Sequence, residues 1–274
     1  MRSPTFNVHV AGVALWSSRL PSWSLARDVI RGEATLLDAP VSRPQTTLLP
    51  PTERRRIPDS VAIALEVATR ACEGLAVDRA QLPQVFASMH GDTPISDYMC
   101  STLATTPSMI SPTKFHNSVH NAAAGYWSIG VGSHAPYTSI SAAQYTFGAG
   151  LLEAVLQSVC ERTPVLFVAF DVEARGPLAP MSQCQHLLAI ALVIAPEEHT
   201  VGGRTLRVGV KLDFDLNEVT QGVSPAATAL AGNALTGAFG LLEALALNGA
   251  ASVQLALSPT TALDIQVSAT PQIQ

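Results

Sequence analysis

The chain has 274 residues, 47% of them hydrophobic and only 14% charged, with a net charge of −5. No run of Lys or Arg exceeds Arg54-Arg55-Arg56, so the clustered positive charge that displaces counterions from nucleic acid is missing. No apolar stretch approaches the ~20 residues that span a bilayer, and the low charge points to surface buried against another chain.

Phe6 to Leu15 reads as an opening strand, followed by an irregular stretch over 32–57. The arginine triplet there reads as a solvated turn or as a docking spot for an acidic partner. Asp59 or Ser60 can cap a helix whose apolar positions Val61, Leu65, Ala68 and Cys72 keep the 3.6-residue period. Gln84 to His90 is a short buried strand, and a helix is expected over 93–102. A further helix of small residues is expected over 117–130. Tyr137 to Ala142 is a strand feeding a helix over 145–159, with Phe147, Leu151, Leu152, Val155 and Val159 as its stripe.

After Pro164 the run VLFVAF fits a strand covered on both faces. Strands are expected over 187–195 and 206–214, one long helix over 227–247, and a final strand pair over 252–257 and 263–267. Helices over a mixed sheet, in an α/β pattern, follow from this order. The four cysteines (Cys72, Cys100, Cys160, Cys184) form no C-x-x-C pair and suggest a reducing compartment, hence a cytoplasmic protein. His116 and His120 stand four apart, a spacing that puts two ligands on one helix face, but no third Cys, Asp or Glu lies near them in sequence. The reading requires neither metal nor cofactor.

Residues 111–154, SPTKFHNSVHNAAAGYWSIGVGSHAPYTSISAAQYTFGAGLLEA, carry the most information. They resemble the segment around the nucleophile of β-ketoacyl synthases, the condensing enzymes of fatty acid and polyketide synthesis. In that family an S-P pair precedes an N-x-x-A-G helix, a G-P turn, and a strand delivering an A-C-x-x-G elbow whose helix runs on to E-A. Ser111-Pro112, Asn121, Ala124-Gly125, Pro136, Ala143 and Glu153-Ala154 match without a gap, with Ala135 in place of the turn glycine. The resemblance implies a thiolase-like fold, with 1–215 as the N-terminal half and 216–274 as a trimmed remnant of the C-terminal half.

Where the family has its cysteine, this chain has Gln144. A thiol at a helix N-terminus gains thiolate character, whereas a carboxamide has no ionisable proton and cannot form the acyl thioester. The family also needs two histidines for an oxyanion-hole function. No H-G-T-G-T segment occurs, and Gly232-Asn233-Ala234-Leu235 resembles the family's G-H-x-L helix start with Asn233 in the histidine's place. Ser141 and Thr146 lie off the elbow tip and read as strand or capping hydroxyls.

A glutamine at the elbow resembles chain length factors, the inactive partners of ketosynthases, and the short length resembles those of aryl polyene (xanthomonadin-type) systems. The resemblance implies a heterodimer with a catalytic ketosynthase, through the elbow strand and the helix before it, and transient contact with an acyl carrier protein. It also implies that Lys114, Phe115, His116 and Ser118 cross the interface and line the partner's acyl tunnel. Two other readings stay open: a malonyl-carrier-protein decarboxylase using the Gln144 amide, and an acyl-binding or scaffold module.

Overall fold

The computed structural model describes residues 4–180, 182, 184–199 and 203–269. In chain order it contains β1 (Thr5–Ser17), α1 (Trp23–Ile30), α2 (Pro51–Arg54), α3 (Asp59–Ala71), β2 (Gln84–Ala87), α4 (Thr93–Thr105) and α5 (Pro112–His116). There follow α6 (Ala122–Val131), β3 (Tyr137–Ile140), α7 (Thr146–Glu161), β4 (Val165–Asp171), β5 (Leu188–Pro196) and β6 (Arg204–Lys211). The chain ends with α8 (Pro225–Ala229), α9 (Phe239–Ala246), β7 (Ala251–Ala256) and β8 (Ala262–Val267).

All eight strands form one mixed sheet in the order β3-β2-β4-β5-β1-β6-β8-β7. β2 runs parallel to β3 and β4, and the remaining pairs are antiparallel. Every residue of β4 and β5 is buried, as the unbroken apolar runs require of strands covered on both faces. One face packs on α1, α7, α8 and α9 through Leu151, Phe167, Phe239 and Leu242. The other packs on α3 and α6 through Leu65, Trp127, Leu166 and Val193. The sheet runs without a break past residue 215, because β6 pairs with β1 on one side and β8 on the other.

β1 serves both faces through a bulge. The register shifts between Val10 and Gly12, so Val8 and Val10 before the bulge and Leu15 after it all face the same core despite their opposite parity. A Cβ on Gly12 would sit 1.9 Å from the Ala71 carbonyl oxygen, so the end of α3 rests directly on this glycine.

Three expected elements differ from the structure. The helix expected over 117–130 starts five residues late, and a separate short helix precedes it. Ser111 caps the short α5 at Lys114 N, Asn117 ends it with Nδ2 donating to the Arg56 carbonyl, and α6 starts only at Ala122. The helix over 227–247 splits. Gly232 takes φ +86 and Asn233 is extended, so this pair stops one segment and caps a short 3-10 turn (Ala234–Ala238) that leads into α9. α3 begins at Asp59 behind Pro58 without a side-chain cap. Instead Ser60 Oγ donates to Asp92 Oδ2 (2.7 Å), tying α3 to Asp92, the cap of α4.

Candidate functional site at the β3–α7 elbow

The elbow forms where β3 ends and α7 begins. Ala143 holds φ +49, a left-handed conformation uncommon for alanine, and it throws Gln144 onto the exposed tip. Thr146 stitches this turn: its hydroxyl donates to the Ala143 carbonyl (2.6 Å) and accepts from Ala142 N (2.9 Å). Ser141 Oγ donates to the Met89 carbonyl (2.8 Å). Both hydroxyls are committed to backbone groups, which leaves Gln144 as the polar group at the tip.

Gln144 borders a cavity of about 260 Å³ shared with Phe147, Leu216, Val219, Gln221 and Gly237. Among the described residues its amide has no hydrogen-bond partner. The position lies just before Tyr145, the residue at the N-terminal boundary of a 16-residue helix whose unpaired N–H groups favour negative charge. A thiol there would be activated; a carboxamide gains no nucleophilicity from the same field.

Asn233 adjoins the same cavity through Ala234, which lines it, but its own side chain is turned inward. It is 4% exposed, Nδ2 donates to the His186 carbonyl (2.7 Å), and Oδ1 accepts from Leu235 N (2.9 Å). Both ends of the amide are therefore used in holding the 3-10 turn to the strand-entry segment. Asn233→Ala is expected to lower stability by about 1–2 kcal/mol through loss of this cap, measured by chemical denaturation.

The four expected interface residues fall into different settings. Phe115 is 62% exposed and lines a groove of about 320 Å³ with His116, Val119, Gly125, Tyr126 and Ile129. His116 lies edge-on to Tyr126, ring centroids 5.8 Å apart. Lys114 sits over the Tyr98 ring at 4.3 Å and borders a separate cleft with Arg56, Asp92 and Asn117. Burial pushes the Asp92 carboxyl above its ordinary range, against opposing hydrogen bonds from Ser60 and Ile95 N. Ser118 Oγ turns back onto the Phe115 carbonyl (2.8 Å).

His116 and His120 do not share a helix face, because α5 stops at His116 and the intervening turn carries His120 Nε2 to the Ser88 carbonyl (2.8 Å). Among the described residues no group of three His, Cys, Asp or Glu could hold a metal ion. Nor is any helix among them long and apolar enough to cross a membrane. In the arginine triplet, Arg55 and Arg56 are exposed, and Arg56 pairs with Glu53 (3.4 Å).

Sequence reasoning missed Val119 and Ile129, which are 52% and 71% exposed. The signal was α6 itself, AAAGYWSIGV, apolar on every face. Such a helix is buried all round, yet here only one side meets the core, through Ala124 and Trp127. The stripe Ala122, Gly125, Tyr126 and Ile129 forms the floor of the groove.

The two sheet edges differ. Among the described residues β3 pairs only with β2. At the far edge the Gln254 backbone of β7 is occupied, its carbonyl accepting from Thr220 N (3.0 Å) and its N–H donating to Thr220 Oγ1 (2.8 Å). One edge is covered and the other is open, next to the apolar groove.

Comparison with known proteins gives a consistent picture. The sequence family described as the N-terminal domain of β-ketoacyl synthase matches residues 30–211. No curated protein matches the chain in sequence. Among solved structures, a chain of the ketosynthase ApeO in complex with its chain length factor ApeC, from Xenorhabdus doucetiae, is similar. It has a TM-score of 0.72 and 19% identity, over 95% of this chain and 99% of that one. The ishigamide ketosynthase/chain length factor has a TM-score of 0.71 at 12% identity, over 97% and 100% of the two chains. The complex AntDE:AntF, a type II polyketide carrier protein with its hexaketide-bound ketosynthase, has a TM-score of 0.73 at 14% identity, over 98% and 100%.

Proposed function

Given that the chain belongs to the β-ketoacyl synthase N-terminal domain family, we propose that it is a non-catalytic, chain-length-factor-like partner of an active ketosynthase. It stabilises a heterodimer and shapes the tunnel into which the acyl chain grows. The observation that carries this reading is Gln144 at the tip of a strand-to-helix elbow held by the left-handed Ala143 and by Thr146, with Phe147 where the motif has its glycine. Geometry that presents a nucleophile is retained, and the nucleophile is absent. Asn233 adds to it, because its amide is spent on backbone partners and is not aimed at a reacting carbonyl.

The open edge of β3 and the groove beside it support a partner at this face. An edge strand with unpaired N–H and C=O groups can extend its sheet into a second subunit, and exposed Ile129, Val119 and Phe115 supply the apolar area around it. Two of the similar structures are described as a ketosynthase with its chain length factor and a third includes a carrier protein, which favours a ketosynthase partner with transient carrier docking. Polyketide synthesis of the aryl polyene kind and a cytoplasmic setting complete the reading, both taken from the resemblance in sequence.

Co-expression with an active type II ketosynthase tests the proposal. The expected result is a 1:1 complex that condenses acyl units, and no condensation by the chain alone. Condensation by the isolated chain, or co-expression giving two separate homo-oligomers, would overturn it.

A further inference from the structure

Asp171 ends β4 with its side chain 1% exposed. Oδ1 accepts from Ser88 Oγ (2.9 Å) and from Met89 N (3.0 Å), whereas Oδ2 is buried without a partner. The turn that Asp171 grips is itself fastened to the elbow. Ser88 N donates to the Ile140 carbonyl at the end of β3 (3.1 Å), and the Met89 carbonyl receives Ser141 Oγ (2.8 Å). The same turn folds on Ser88 Oγ, which accepts from Gly91 N (2.8 Å), and on His120, whose Nε2 meets the Ser88 carbonyl (2.8 Å). A single carboxyl thus sits at the root of a hydrogen-bond chain that ends at the tip carrying Gln144.

We propose that Asp171 is a positioning residue whose neutral carboxyl holds the 88–91 turn against the elbow, and that losing its proton to water releases turn and elbow together. The physical reason is the orphaned Oδ2. A neutral acid leaves it uncharged. An anion places charge on a buried oxygen with no donor, and that charge is relieved only if the turn parts from β4 and admits water. Burial pushes the carboxyl up to about 7, against the opposing hydrogen bonds of Ser88 and Met89 N. No neighbouring charge contributes to that shift. The titratable groups around it are Cys184, whose thiol is raised by burial and by Asp171, the exposed His90 in the turn itself, and His120 across the Ser88 carbonyl. The native state holds the proton that an open state gives up at ordinary carboxylate pH. Opening therefore becomes easier as pH rises from about 4 to about 7 and levels off above that.

Hydrogen exchange of the full chain at pH 5.5 and pH 8, each rate divided by its intrinsic rate at that pH, tests this. The opening constant of amides in 88–91 and 142–146 is expected to rise roughly thirtyfold, at tenfold per pH unit up to the carboxyl's titration. Amides of β5 serve as the unchanged reference. Asp171→Asn is expected to abolish the rise in both segments, and Ser141→Ala to keep it in 88–91 while reducing it in 142–146. No rise in the wild type, or an equal rise in Asp171→Asn, would overturn the proposal. Should that variant not fold, an undiminished rise at 142–146 in Ser141→Ala would overturn it instead.

Discussion

Ile129→Asp is expected to leave the isolated chain folded and to weaken its association with the ketosynthase at least a hundredfold. Ile129 is 71% exposed on α6, so the substitution removes little burial from the chain itself and should shift its stability by no more than about 0.5 kcal/mol. In the proposed heterodimer the same position lies against the partner, and an unpaired carboxylate buried there costs roughly 3 kcal/mol or more, which is a factor of a hundred or greater in affinity. Strand pairing gives an independent arm. Gln84 N donates to the Pro136 carbonyl and Ser88 N to the Ile140 carbonyl, so even-numbered residues of β3 face β2, and Tyr137 and Ser139 turn their backbone groups outward. Ser139→Pro removes an outward donor from an edge strand, which the fold tolerates and a strand-paired partner does not. Analytical ultracentrifugation of the mixed subunits reads both variants. Wild-type affinity in both would place the interface elsewhere.

The second large effect is on product length. Phe115 is held on α5 with its ring mostly in solvent, because Ser111 and Pro112 start that helix and Asn117 ends it one turn later. If it seals the partner's tunnel, Phe115→Ala is expected to shift the products of the reconstituted complex by one or more extension units towards longer chains. Phe115→Trp is expected to shorten them, since a packed wall resists each added methylene by about 1–3 kcal/mol. Mass spectrometry of carrier-bound products distinguishes the cases. An unchanged distribution in both variants, with the complex intact, assigns Phe115 to interface packing and not to the tunnel.

The elbow was legible in sequence because its signal is local: an S-P start, a small-residue helix, a strand and a helix at fixed spacing within residues 111–154. The central strands were legible too, since VLFVAF and its antiparallel neighbour are unbroken apolar runs. Gly232-Asn233 was the missed punctuation. Apolar periodicity on both sides suggested one helix, and the positive φ of Gly232 with the Asn233 cap divided it. Asn117, expected to open the next helix, instead closes α5, and α6 begins only at Ala122. Ile129 could not be singled out, because α6 is apolar all round and only its packing on α3 decides which side stays open. Asp171 was hidden for a related reason. Its partners Ser88 and Met89 stand 83 and 82 residues earlier, and no local pattern joins them.

Intact-mass spectrometry of the working complex tests the central claim most directly, because each subunit reports its own covalent state during turnover. With acyl- and malonyl-loaded carrier supplied and the reaction quenched in acid, the ketosynthase subunit should gain the mass of the acyl chain and this chain should stay at its unmodified mass. An acyl adduct on this chain during turnover would contradict the account, since a carboxamide stands at its elbow where the thioester would form.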